Sequence, residues 1–142
     1  MADRGQAVAA RARRLIGVRF RLQGRSPAEG LDCAGVALLA IGSAGDKIKR
    51  DYQLRGTGLS ALERELAKAG LVRAGGAPAA GDVLVFAPGP EQLHLAVFTG
   101  TGFVHADAGL KRVVERPLPF PWPLLGAWQV DAGEEGASEW RL

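Results

Sequence analysis

The sequence predicts an α+β domain in which N-terminal helices pack on a roughly five-stranded antiparallel sheet. Three observations predict it. In the first half, apolar residues recur at helical spacing. After "RAGGAPAAGD" the chain changes to short Val-, Phe- and Trp-rich runs separated by Gly- and Pro-containing turns. The 142 residues suit one domain, and 47% hydrophobic residues can fill its core without disulfides or a structural metal.

The elements follow in order. Asp3 caps a helix from Arg4 to Ile16, with Val8, Ala12, Leu15 and Ile16 on one face and Gly17 as its stop. The arginines at 11, 13 and 14 read as its solvated side. "VRFRLQGRSPAEG" reads as extended chain and loop. Asp32 then caps a second helix, Cys33 to Ile41, ended by Gly42. That helix is apolar nearly all round, which places it centrally. A polar connection, "SAGDKIKRDYQLRG", leads to a third helix from Leu59 to Ala69, in which Ser60 and Glu63 have capping-box spacing.

Five strands follow: 83–87, 93–99, 103–106, 112–115 and 126–130. Their short connections predict antiparallel pairing. "RPLPFPWPLLG" has four prolines and is excluded as a central strand. Asp82 reads as a turn residue, and so does Asp107, with a cationic substrate group as its alternative contact. Tyr52 and Trp122 read as core, with groove lining as the alternative. The domain occupies 1–130; the polar tail at 131–142 offers only Trp140 for docking.

Charge and composition exclude several classes. The net charge of +3 is too weak to argue for a nucleic-acid partner. No run approaches the ~18 apolar residues of a membrane span. "MADRGQAVAARARRLIG" lacks a secretory h-region, so the sequence implies synthesis in the cytoplasm and delivery by something else.

The chemistry gathers around the single cysteine. As first residue of the central helix, Cys33 sits where free N–H groups and the helix dipole favour an anion, here a thiolate. This predicts a partly exposed, acidified thiol. The adjacent Asp32 carboxylate opposes that, limited by its capping bonds. The other reading of a lone cysteine is a small buried hydrophobe.

The two histidines supply context. With a two-residue turn at Gly100-Thr101, Thr99 pairs with Gly102 and paired positions sum to 201. His94 and His105 then become diagonal neighbours on one face. A three-residue loop would separate them. Nucleophile, base and orienter of the base form one recognisable pattern. Zinc ligation by the same three residues is the rival, but the 61-residue step from Cys33 to His94 lacks the short paired spacing usual for zinc.

At these residues the chain resembles the NlpC-type cysteine peptidases of bacterial cell walls, within the papain-like superfamily. "LDCAGVALLAIG" resembles the family's Asp-Cys-Ser-Gly helix, "AAGDVLVF" its Gly-Asp-hydrophobic strand, and "LHLAVFTGTGFVHADAGLKRVVERPL" its base-bearing and following strands. The nearest similarity is to the compact group found in phage tails and gene transfer agents, where Gln23 of "RFRLQG" resembles a glutamine upstream of the cysteine.

The resemblance implies Cys33 as nucleophile, His94 as general base and His105 as orienter. It also implies hydrolysis of peptidoglycan stem peptides between γ-D-glutamate and a diamino acid, with no metal or cofactor and with phage-like tail proteins as possible partners. Arg19-Phe20 stands where members often carry Pro-Tyr, and Phe20 has no hydroxyl to donate. Oxyanion support then falls to the Cys33 N–H and Gln23. Gln23, Phe20 and Asp32 complete the candidate site. A binding or structural role without turnover, and acyl transfer on the same residues, are the alternative functions.

Overall fold

Arg4–Arg13 forms helix α1 and buries Val8, Ala9 and Ala12. It stops being regular three residues before the expected end. Leu15 and Ile16 donate to the carbonyls of Ala12 and Arg13, three residues back, a tightened last turn. Gly17, at φ +95°, then turns the chain so that its N–H bonds the Val113 carbonyl. The arginines are not simply solvated. Arg11 Nε donates to the Ala40 carbonyl at 2.7 Å, and Arg13 pairs with Glu115 at 3.2 Å.

The computed structural model describes residues 4–42 and 58–131. The Asp3 cap, the connection at 43–57 with Tyr52, and the tail at 132–142 with Trp140 lie outside the described residues.

The segment read as loop contains a small ribbon, β1 (Arg25–Ser26) paired with β2 (Gly30–Leu31). It delivers the chain to α2 (Cys33–Ala40), capped by Asp32 as expected, with Gly35 N–H donating to Asp32 Oδ1 at 2.9 Å. A helix with no polar face must be covered on both sides. On one flank Cys33, Ala34, Ala37 and Leu38 join a cluster with Leu62 and Leu66. On the other, Val36 and Ala40 join Val8 and Ala12 of α1. The third helix, α3 (Leu59–Lys68), starts after Gly58, which makes no side-chain cap bond. The Ser60–Glu63 capping box is therefore not formed. Gly58 already offers its carbonyl to Leu62 N–H, so Ser60 lies inside the first turn, two residues too late to cap.

Among the described residues six strands, one more than the roughly five expected, make the main sheet: β3 (Leu71–Arg73), β4 (Val83–Gly89), β5 (Gln92–Phe98), β6 (Gly102–Asp107), β7 (Arg112–Pro117) and β8 (Leu124–Val130). Their order is β3-β8-β4-β5-β6-β7 and every pairing is antiparallel. The added strand, β3, has only three residues, too few to show a period. From β4 to β7 the strands form the expected meander, while β8 returns to lie on the far side of β4.

Alternation along β4 divides the sheet's two faces. Val83 and Val85 pack with α2 and α3, whereas Leu84 and Phe86 face the other way. That second face is covered by Phe120, Trp122 and Leu124, and residues 118–123 of the proline-rich segment lie over it as a lid. The ends of that segment do enter the sheet: Arg116–Pro117 end β7, and Leu124–Gly126 open the interior strand β8. The prolines stop at 123 and leave those N–H groups of β8 able to pair.

Candidate active site

The β5–β6 hairpin sets the histidines. Val97 pairs with Val104 and Phe98 with Phe103, and Thr99 N–H bonds the Gly102 carbonyl at 2.9 Å, so positions sum to 201 as the two-residue turn predicts. His94 Nε2 lies 2.8 Å from His105 Nδ1. The rings meet edge to face, and Trp122 stands against both, with ring centres 5.3 Å from His94 and 5.8 Å from His105. His105 is 2% exposed.

Cys33 approaches from the helical side. It packs with Leu93 and Leu95, the neighbours of His94 on β5, and its thiol meets the Leu95 backbone. β5 and β6 are in register only at their hairpin end, so they part at the level of His94. The thiol thus reaches β5 one residue from His94 on the α2 side, while the His94 ring, in register with Phe86, lies with His105 and Trp122 on the other side of the sheet. Among the described residues no hydrogen bond joins Cys33 to His94.

The expectation of a partly exposed, acidified thiol is not met. Cys33 is 6% exposed. Burial, and then the Asp32 charge, push its pKa up to about 12, outweighing the backbone of Leu95 and Ala34 and the charge of Arg25. The dipole of an eight-residue helix does not offset desolvation of a sulfur anion. Burial also brings His94 down to about 4, with the His105 ring adding to the effect and Asp107 opposing it. His105 is lowered too, chiefly by burial. At neutral pH the site therefore holds a neutral thiol and two neutral imidazoles.

The remaining candidates have defined places. Asp32 accepts from Gly35 N–H, from Gln23 N–H at 3.1 Å and from Arg25 Nη1 at 2.7 Å. It thereby ties β1 and the preceding loop to the start of α2. Gln23 is half-buried at φ +60°, and with its N–H held by Asp32 only its side-chain amide remains as a donor toward substrate. Phe20 donates its N–H to the Lys111 carbonyl, and its ring packs on the cluster around Val8 and Val113, not on the cluster that holds Cys33.

Asp82 makes the expected turn, accepting from Ala79 N–H at 2.9 Å. Asp107 does the same for Leu110 N–H at 3.0 Å, with its second oxygen turned toward His105. Two residues at the site were not singled out for these roles. Trp122 is a wall of the histidine pair rather than plain core, and Arg25 is the buried partner of Asp32. The proline spacing around Trp122 signals a fixed segment but not its target. Nothing in the local sequence pairs Arg25 with Asp32. Among the described residues, no group of three or more His, Cys, Asp or Glu is placed to hold a metal ion.

No protein-family model matches the chain, and no curated protein matches it in sequence. Solved structures do. NlpC1 from Trichomonas vaginalis superposes with a TM-score of 0.62 at 18% identity, covering 92% of this chain and 45% of that one. This chain thus spans less than half of the Trichomonas protein. The p60 domain of an antigen from M. avium subspecies paratuberculosis gives 0.54 at 22% identity, covering 89% and 93%. RipD from Mycobacterium tuberculosis, a non-catalytic NlpC/p60 domain protein, gives 0.54 at 19% identity, covering 91% and 98%. An antiparallel sheet backed by a helix that begins at the lone cysteine, with both histidines on one hairpin, is thus an NlpC/p60 fold.

Proposed function

We propose that the protein is a cysteine endopeptidase that hydrolyses peptidoglycan stem peptides between γ-D-glutamate and the following diamino acid. The observation that supports this most is the His94–His105 contact at 2.8 Å beside the parting of β5 and β6, where the Cys33 thiol meets the backbone next to His94. Because thiol and imidazole are both neutral at rest, proton transfer accompanies attack instead of preceding it. His94 takes the thiol proton as sulfur bonds the amide carbonyl carbon. The oxyanion is met by the Cys33 N–H, free at the first turn of α2, and by the Gln23 amide. His94 then protonates the leaving amine, giving a thioester. Water, deprotonated by His94, releases the acid and regenerates the thiol. His105 holds the plane of the His94 ring throughout.

The test is incubation with purified sacculi that contain a diamino acid, with mass spectrometry of what is released. Peptides with a newly freed diamino-acid amine are expected. Adsorption to sacculi with no peptide released would instead establish the second reading, a wall-binding module without turnover. Two observations favour that reading: a thiol only 6% exposed, and likeness to a non-catalytic domain adapted to binding peptidoglycan. Delivery as part of a phage-like tail or gene-transfer particle completes the proposal, supported by the resemblance of "RFRLQG" to that group.

A further inference from the structure

His105 Nε2 is buried and has no hydrogen-bond partner among the described residues. The group it faces is Asp107 Oδ2, 3.9 Å away. His105 and Asp107 are two apart on β6, so strand alternation puts both on one face. The distance is too long for a direct hydrogen bond, but a carboxylate there still attracts an N–H and repels a lone pair. Asp107 Oδ1 is fixed separately by Leu110 N–H at 3.0 Å, which anchors the carboxylate. Arg116 is the charge that opposes it at His105.

We propose that Asp107 is a positioning residue that sets the direction of the hydrogen bond between the two imidazoles. The inference rests on the Cys33–His94–His105 reading above. A neutral imidazole carries one proton. With the Asp107 carboxylate beside it, His105 keeps that proton on Nε2. Its Nδ1 is then an acceptor, and the 2.8 Å contact is filled by the proton on His94 Nε2. His94 Nδ1 is left bare and basic, able to take the thiol proton. With the chain reversed, His105 Nδ1–H donates to His94 Nε2, His94 carries its own proton on Nδ1, and no unengaged basic nitrogen remains on His94. The carboxylate also favours the imidazolium that His94 becomes during turnover, in the same direction as its effect on the His94 pKa.

Asp107→Asn tests this directly. Its single carbonyl oxygen stays with Leu110 N–H, so the amide NH2 faces His105 Nε2 and favours a lone pair there. The proton chain should invert. Long-range ¹⁵N–¹H NMR of histidine-labelled protein reads the protonated nitrogen of each ring without any need for activity. Expected in the wild-type protein are protons on Nε2 of both rings. In Asp107→Asn both should move to Nδ1, with kcat on sacculus peptides down roughly 10²-fold or more and KM unchanged. Asp107→Glu, which restores a carboxylate, should return the wild-type pattern. Wild-type rings protonated on Nδ1, or tautomers unmoved in a folded Asp107→Asn protein, would overturn the proposal. Wild-type protein with the expected tautomers but no peptide release would overturn the catalytic reading and leave Asp107's role intact.

Discussion

Arg25 donates from Nη1 to Asp32 Oδ1 across 2.7 Å, and the same oxygen caps the helix that begins with Cys33. One carboxylate thus locks a ribbon, a loop and a helix N-terminus together. Asp32→Asn should keep an acceptor for Gly35 N–H but remove the charge that pairs with the buried Arg25. A loss of about 3 kcal/mol is expected, the low end for breaking a buried pair. Asp32→Ala should lose about 1 kcal/mol more with the cap. Denaturant titration checks both, and an Asn variant as stable as the parent would show that the pair adds nothing.

The thiol should be slow to react. With its pKa pushed up to about 12, Cys33 carries almost no thiolate at neutral pH. Iodoacetamide labelling at pH 7 is expected to lag behind a free thiol, and the rate should keep rising past about pH 8.5, where free cysteine is half ionised. A labelling midpoint below that value would mean that helix and imidazole outweigh burial after all.

Acid should weaken the fold through His94. Its folded pKa lies near 4 against 6.5 for the ordinary side chain, so the unfolded chain binds the extra proton between those values. Stability is therefore full above about pH 6.5, falls as pH drops toward 4, and levels off below. Denaturation midpoints of wild type and His94→Gln across this range should converge as pH falls. Parallel curves would show that His94 titrates normally.

The three site residues should separate by role. Cys33→Ala and His94→Ala should each lower turnover by about 10⁴-fold or more, and the double variant should be no worse than either, because residues that act as a unit are not additive. His105→Asn keeps a polar partner for His94 and should retain measurable activity. Far-UV circular dichroism must first show that each variant folds. Digestion of sacculi by His94→Ala but not by His105→Asn would exchange the roles.

Gly35 touches the loop that Asp32 holds. A Cβ there would collide with the Gly24 carbonyl oxygen and crowd Leu31. Gly35→Ala should force α2 away from the loop, costing roughly 1–3 kcal/mol, the range for overpacking. Thermal melts report the loss. An unchanged melting temperature would show that the loop yields freely.

Much of this was legible in sequence because short-range rules govern it. Asp32 as a cap, the Gly100-Thr101 turn and the diagonal His94–His105 pair all follow from local geometry over a few residues. What sequence did not reveal depends on burial and distant partners. A helix-start cysteine looks acidified until Leu93 and Leu95 close over it and desolvation prevails. β3 is too short for a pattern, and it exists because β8 is there to pair with it. Trp122 shows its role only when the proline-rich segment is folded back over the second face.

The place of β8 has a consequence for how the chain comes to be folded during synthesis. β8 lies between β3 and β4, yet among the described strands it leaves the ribosome last. The hairpin that carries both histidines is local and closes early. Until residues 124–130 emerge, however, β4 has a bare edge and the cluster beneath it lacks Trp128. The histidine hairpin is thus complete before this sheet is, and the sheet's cooperative stability arrives only with β8.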